Sequence, residues 1–172
     1  FDANYLSGLL NTEFSNRLQA SGGEPLPDFG TAQVLVVEDF GTTGLLGSWD
    51  DQNADGPNEN WNAFWFREGE GAKAVAGSNG RAGQGKVTYY RVSAARALFG
   101  LTVRKSDGRQ LLMGRSAFRR VYPYQGSKFL RHSFWCTGTD NPLPIQNDEE
   151  IKVFRNAFRS EEHTSELQSR FG

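Results

Sequence analysis

Between Thr42 and Gly85 the chain carries nine glycines, at 44, 47, 56, 69, 71, 77, 80, 83 and 85, with Asp50, Asp51, Asp55 and four asparagines between 53 and 62. Glycine loses the most conformational freedom on ordering, so no regular layer runs through such a stretch and the chain divides into two patterned parts. Loops of that length inside a compact domain are usually functional lids or disorder. Residues 45–80 are therefore expected to form a lid, within which Trp61, Phe64, Trp65 and Phe66 dock as a short helix.

Upstream, Leu6, Leu9, Leu10, Phe14 and Leu18 recur at helical spacing over 5–19, and Ser21-Gly22-Gly23 with Pro25 and Pro27 ends the pattern. Val34-Leu35-Val36-Val37 is a continuous β-branched run and predicts a strand buried on both faces. That strand would carry Glu38 and Asp39 to its C-terminal end. Downstream, Val87, Tyr90, Arg91, Ala94, Ala97 and Leu98 fit one helical face. Leu101-Thr-Val and Leu111-Leu-Met flank Asp107-Gly108, a hairpin turn signal. Residues 121–146 are aromatic and turn-rich and give no clear period. Asn147-Asp148-Glu149-Glu150 opens a helix bearing Ile151, Phe154 and Phe158. The pattern is α+β: a two-layer sandwich with a mixed, mainly antiparallel sheet covered by helices.

Charge and length narrow the function classes. The 172 residues hold 19 Lys+Arg and 20 Asp+Glu, with the basic residues scattered, so nucleic acid is not indicated as the partner. Cys136 stands alone and the histidines are His132 and His163, which leaves no disulfide and no zinc-type spacing. A reducing cytoplasmic setting is expected, and no apolar run reaches membrane-spanning length. Residues 159–169 read as translated sequencing adapter, so 159–172 are set aside as an artefactual tail. The opening at Phe1 reads as a truncation, leaving 1–158 as one partial domain.

Gly77-Ser-Asn-Gly80-Arg-Ala-Gly83-Gln84-Gly85-Lys86 leads into the predicted helix at 87. Glycines permit close backbone approach, free N–H groups at a helix start favour an anion, and Lys86 adds a positive charge. A P-loop would read Gly80-x-x-x-x-Gly85-Lys86, but Val87 replaces the Ser or Thr that holds magnesium, and no hydrophobic strand precedes it. The Rossmann spacing is absent.

Asp39-Phe-Gly41-Thr-Thr43-Gly44 after a strand, a long loop, Gly80-x-x-Gly83-x-Gly85, then a helix and antiparallel strands resembles the GHKL ATP-binding domain. That superfamily includes gyrase, histidine kinases, mismatch-repair ATPases and a heat-shock chaperone. The Glu38–Leu45 wording is most similar to stand-alone bacterial ATPase proteins. The resemblance covers about residues 1–118. It implies that Asp39 accepts from the adenine amino group, that Gly41 lets the ring lie on the backbone, and that Thr43 or Gly44 fills the second glycine's place. It further implies that Gly80, Gly83, Gln84, Gly85 and Lys86 meet the phosphates. ATP and Mg²⁺ are the implied ligands, serving hydrolysis or an ATP-driven switch. By the same resemblance Asp2-Ala3 ends the family's first box, which places the catalytic Glu and the magnesium-binding Asn before Phe1 and no catalytic residue within the chain. Thr137 and Thr139 are weak candidates for an adenine-side threonine.

Other residues carry blander expectations. Trp49, Asp50, Asp51 and Asp55 could hold a cation but fit a solvated loop better, and Cys136 and His132 read as structural. Arg115, Arg119 and Arg120 could face phosphate or form a solvated strand edge. The competing class is a non-enzymatic interaction module whose aromatic segments, Trp61 to Phe66 and Phe134-Trp135, form a surface for a protein partner or a second copy.

Overall fold

The structure, a computed structural model, describes residues 1–67 and 84–158. The tail at 159–172 lies outside the described residues.

The N-terminal apolar stripe folds as two helices, α1 (Ala3–Leu9) and α2 (Thr12–Ala20), where the spacing predicts one. Side-chain capping breaks it. Asp2 Oδ1 accepts from Asn4 N and Tyr5 N at 2.8 and 3.1 Å, and Asn11 Oδ1 accepts from Phe14 N at 3.0 Å, starting a second helix one residue after Leu10. The stripe survives the break, since Leu6, Leu10, Phe14 and Leu18 are all buried. Asp2 thus serves as a helix cap.

Downstream of the glycine-rich segment, α4 spans Gln84–Val92 and α3 precedes it at Asn60–Trp65. The helix predicted to reach Leu98 stops early. Arg96 adopts a positive φ of 52° and Ser93 Oγ accepts from Ala97 N, so Ala97 and Leu98 open β1 (Ala97–Val103). β1 turns through Ser106–Gly108 into β2 (Gln110–Ala117), as the Asp-Gly signal predicts, with Gly108 at φ 71°.

In the segment that sequence pattern leaves unassigned, β3 (Tyr122–Tyr124) and β4 (Ser127–Phe129) form a hairpin. Its two-residue turn, Gln125-Gly126, has positive φ at both positions. β5 (His132–Trp135) pairs with β2, giving the sheet order β1-β2-β5 with both pairings antiparallel. α5 (Asp148–Phe158) closes the fold, capped by Asn147 Oδ1 accepting from Glu150 N at 3.0 Å. The α+β class and the antiparallel sheet under helices are as expected.

Two cores lie against the sheet. Leu6, Leu10, Phe14, Leu18, Ala95, Phe118 and Tyr122 form the first, with Phe99 and Trp135 packed on it; Trp61, Trp65, Leu111 and Met113 form the second. Alternation along β2 explains the second, because Leu111, Met113 and Arg115 share one face. Gly114 faces the other way between Phe99 and Trp135, where a Cβ would come within 2.6 Å of the Phe99 ring.

The chief correction concerns Val34–Val37. This run is not a buried strand: it has no ladder partner among the described residues, Leu35 is 72% exposed, Val37 62% and Phe40 81%. Only Val34 packs against the first core. β-Branched residues fit a pleated, covered surface rather than dictating one, and here no described strand pairs with this run.

Candidate functional site

The first glycine box sits beside the β1–β2 hairpin. Thr43 O accepts from Lys105 N at 3.0 Å, and Leu45 N donates to Thr102 Oγ1 at 2.9 Å. Gly44 is pressed between these bonds at φ 70°, with Val103 O and Thr102 Oγ1 where a Cβ would stand. Gly41 also has positive φ, 73°, but open space surrounds it. Thr43 and Gly44 are therefore docked on β1, while Gly41 and Asp39 face solvent. Asp39 lies on a connector without regular secondary structure, which corrects the expectation that a rigid strand end presents it.

Of the second box, Gly80 and Gly83 lie outside the described residues. Gln84, Gly85 and Lys86 form the first turn of α4, so the glycine-rich stretch does run into a helix N-terminus. A helix start of this kind is where an anion is favoured.

The intervening segment is packed over much of its length. Trp61 is fully buried, Trp65 is 1% exposed, and their rings lie 5.8 Å apart over Leu111 and Met113. Arg104 Nη1 donates to Gly47 O at 2.7 Å, Trp61 N to Leu46 O at 2.8 Å, and Asn62 Nδ2 to Asp51 O at 2.8 Å. Trp61 and Trp65 thus belong to the core, with Leu45, Trp49, Phe64 and Phe66 packed on it, while Asp50, Asp51, Asn53, Asp55, Pro57 and Asn58 are exposed; 68–80 of the expected lid lie outside the described residues.

These aromatics also correct the predicted partner surface. Trp61 and Trp65 face inward, and β5 alternation sends Phe134 against Phe66 at 5.5 Å and Trp135 against Phe14 at 5.1 Å. Trp135 Nε1 donates to Leu9 O at 2.9 Å, tying β5 to α1.

The acidic loop is used locally: Asp51 Oδ1 accepts from Asn53 N and Asp55 pairs with Arg67 at 3.0 Å. Among the described residues no group of three His, Cys, Asp or Glu is placed to hold a metal. Thr137 Oγ1 donates toward Leu143 O and Pro144 O in a tight turn, and Thr139 is exposed. Cys136 is half-buried against the second core, and burial pushes its thiol pKa up. An open depression of about 430 Å³ is lined by the β3–β4 hairpin, including Tyr122, Pro123 and Lys128, and by none of the glycine-box residues.

Arg115 contradicts the expected strand edge most clearly, being 2% exposed. Its Nη1 donates to Trp65 O at 2.6 Å, its Nη2 lies 3.1 Å from both ring nitrogens of His132, and its guanidinium lies over Tyr90 at 5.9 Å and Phe134 at 5.7 Å. The signal was the alternation that puts position 115 on the Leu111 and Met113 face. Arg120 packs over Gly22 at the end of α2, where a cation suits the helix terminus.

Among the described residues no helix is long and apolar enough to cross a membrane. Comparison with protein-family models, curated proteins and solved structures found no match.

Proposed function

We propose that this chain binds an adenine nucleotide, with ATP hydrolysed or used as a conformational switch. The supporting observation is the order and backbone of the two glycine boxes: one docked on the β1 end through Gly44, the other opening α4 at Gln84 just before the antiparallel hairpin. Asp39 presents an exposed carboxylate suited to the adenine amino group, and the open space at Gly41 admits a ring against the backbone. The first turn of α4 and Lys86 would meet the phosphates. Gly80 and Gly83 belong to this reading through the sequence resemblance. The described residues do not form a metal cage, so Mg²⁺ enters here as the ion carried on the nucleotide phosphates, and no step is routed through it.

A calorimetric titration with ATP tests the assignment. A hydrogen bond to a charged group contributes about 1.5–3 kcal/mol, so Asp39→Asn should weaken binding roughly 10–100-fold without loss of fold. Equal affinity in the two proteins would remove Asp39 from the site.

The exposed run Leu35–Val37 with Phe40 favours a second reading, a non-enzymatic module that adds this extended segment to a partner's sheet. Self-association lost on Val36→Lys, with no response to ATP, would support it.

A further inference from the structure

We infer that Arg115 is a positioning residue that fastens together the two chain segments bracketing residues 68–83, and so sets where α4 stands relative to α3. This deepens the nucleotide reading and rests on it.

The argument starts from the buried guanidinium. Charged groups pass into a core only where specific partners receive them. Arg115 Nη1 donates to the carbonyl of Trp65, the last residue of α3, while its guanidinium carbon lies over the Tyr90 ring on α4, 5.9 Å from the ring centroid. One side chain on the central strand thus touches both segments. The contacts differ in kind: one N–H donates to the carbonyl, and the delocalised charge lies over the ring. His132 on β5 takes a third direction, with its ring nitrogens 3.1 Å from Nη2. A planar, forked cation can make all three contacts, whereas an ammonium is a point charge. Tyr90 is itself buried at 6% exposure, so α4 is held at this contact by its inward face. A nucleotide whose phosphates meet the first turn of α4 would find that turn already placed against the sheet, and less ordering would remain to be done on binding.

The test separates positioning from simple packing. Met keeps an apolar side chain of similar length but leaves the Trp65 carbonyl without its Arg115 donor, so Arg115→Met should lower the melting temperature while freeing α4. Nitroxide labels on cysteines introduced at the exposed positions Asn58 and Thr88, in a Cys136→Ser background, report the separation of the two segments by pulsed electron resonance. A single narrow distance distribution is expected in the otherwise unaltered protein and in Tyr90→Phe, which keeps the ring. Broad distributions are expected in Arg115→Met and Tyr90→Leu, with ATP affinity reduced about tenfold in both. Tyr90→Leu decides the matter if Arg115→Met fails to fold. Narrow distributions in the folded variants would overturn the inference. Broadening in a protein that does not bind ATP would sustain the fastening and retire the nucleotide reading instead.

Discussion

Two glycines three residues apart in the first box differ in what they tolerate. Gly41 needs only its positive φ, so Gly41→Ala should cost about 1–2 kcal/mol of stability in a denaturant titration. Gly44 has the same φ and in addition no room for a Cβ against Val103 O, so Gly44→Ala should cost more than Gly41→Ala and loosen residues 43–45 from β1. Equal costs would mean that the docking of Gly44 is misplaced. Tyr5 offers a pH-dependent check. Its hydroxyl pKa is raised above 10.0, first by burial and then by the charge of Glu150, and its ring packs on Phe154 and Phe158. A raised pKa means that the fold favours the neutral phenol. That contribution is whole below about pH 10 and is lost as pH rises toward the folded value. Stability measured from pH 8 to 11 should therefore fall more steeply in the parent protein than in Tyr5→Phe.

At the level of elements, what the sequence made legible was what local chemistry decides. Asp107-Gly108 turns the hairpin, the 147–150 run caps and starts α5, and the Trp61–Phe66 cluster forms α3. Each depends on residues within a few positions of one another. Val34–Val37 failed because a strand needs an edge to pair with and a layer to cover it, and pattern alone supplies neither. Arg115 was misjudged for the opposite reason: its charge argued for solvent, while the period-two alternation from Leu111 placed it inside. The break between α1 and α2 shows the same competition, with the Asn11 side chain outweighing an unbroken apolar stripe. Asn11→Ala should destabilise the protein by about 1 kcal/mol, through loss of one cap bond. Leu35→Lys, by contrast, should change stability by less than about 0.5 kcal/mol, because the side chain is already in water. A loss of several kcal/mol there would restore the buried strand and place Asp39 on a rigid edge after all.

Across the whole molecule, the sheet stands between two cores, and the two glycine boxes enter it from different directions. One docks beside the turn of the β1–β2 hairpin, and the other opens the helix that leads into β1. Of the candidate site, the run of the glycine-rich stretch into a helix start was legible in sequence. The side-chain geometry was not, because Asp39 lies on a connector whose path no local pattern specifies. In the proposed nucleotide reading one ligand engages both boxes together. Backbone hydrogen exchange followed by mass spectrometry, with and without saturating ATP, addresses it directly. Exchange is expected to slow at residues 39–45 and 84–90 in the same ATP-bound protein. Exchange unchanged at both segments, or slowed only elsewhere, would contradict it.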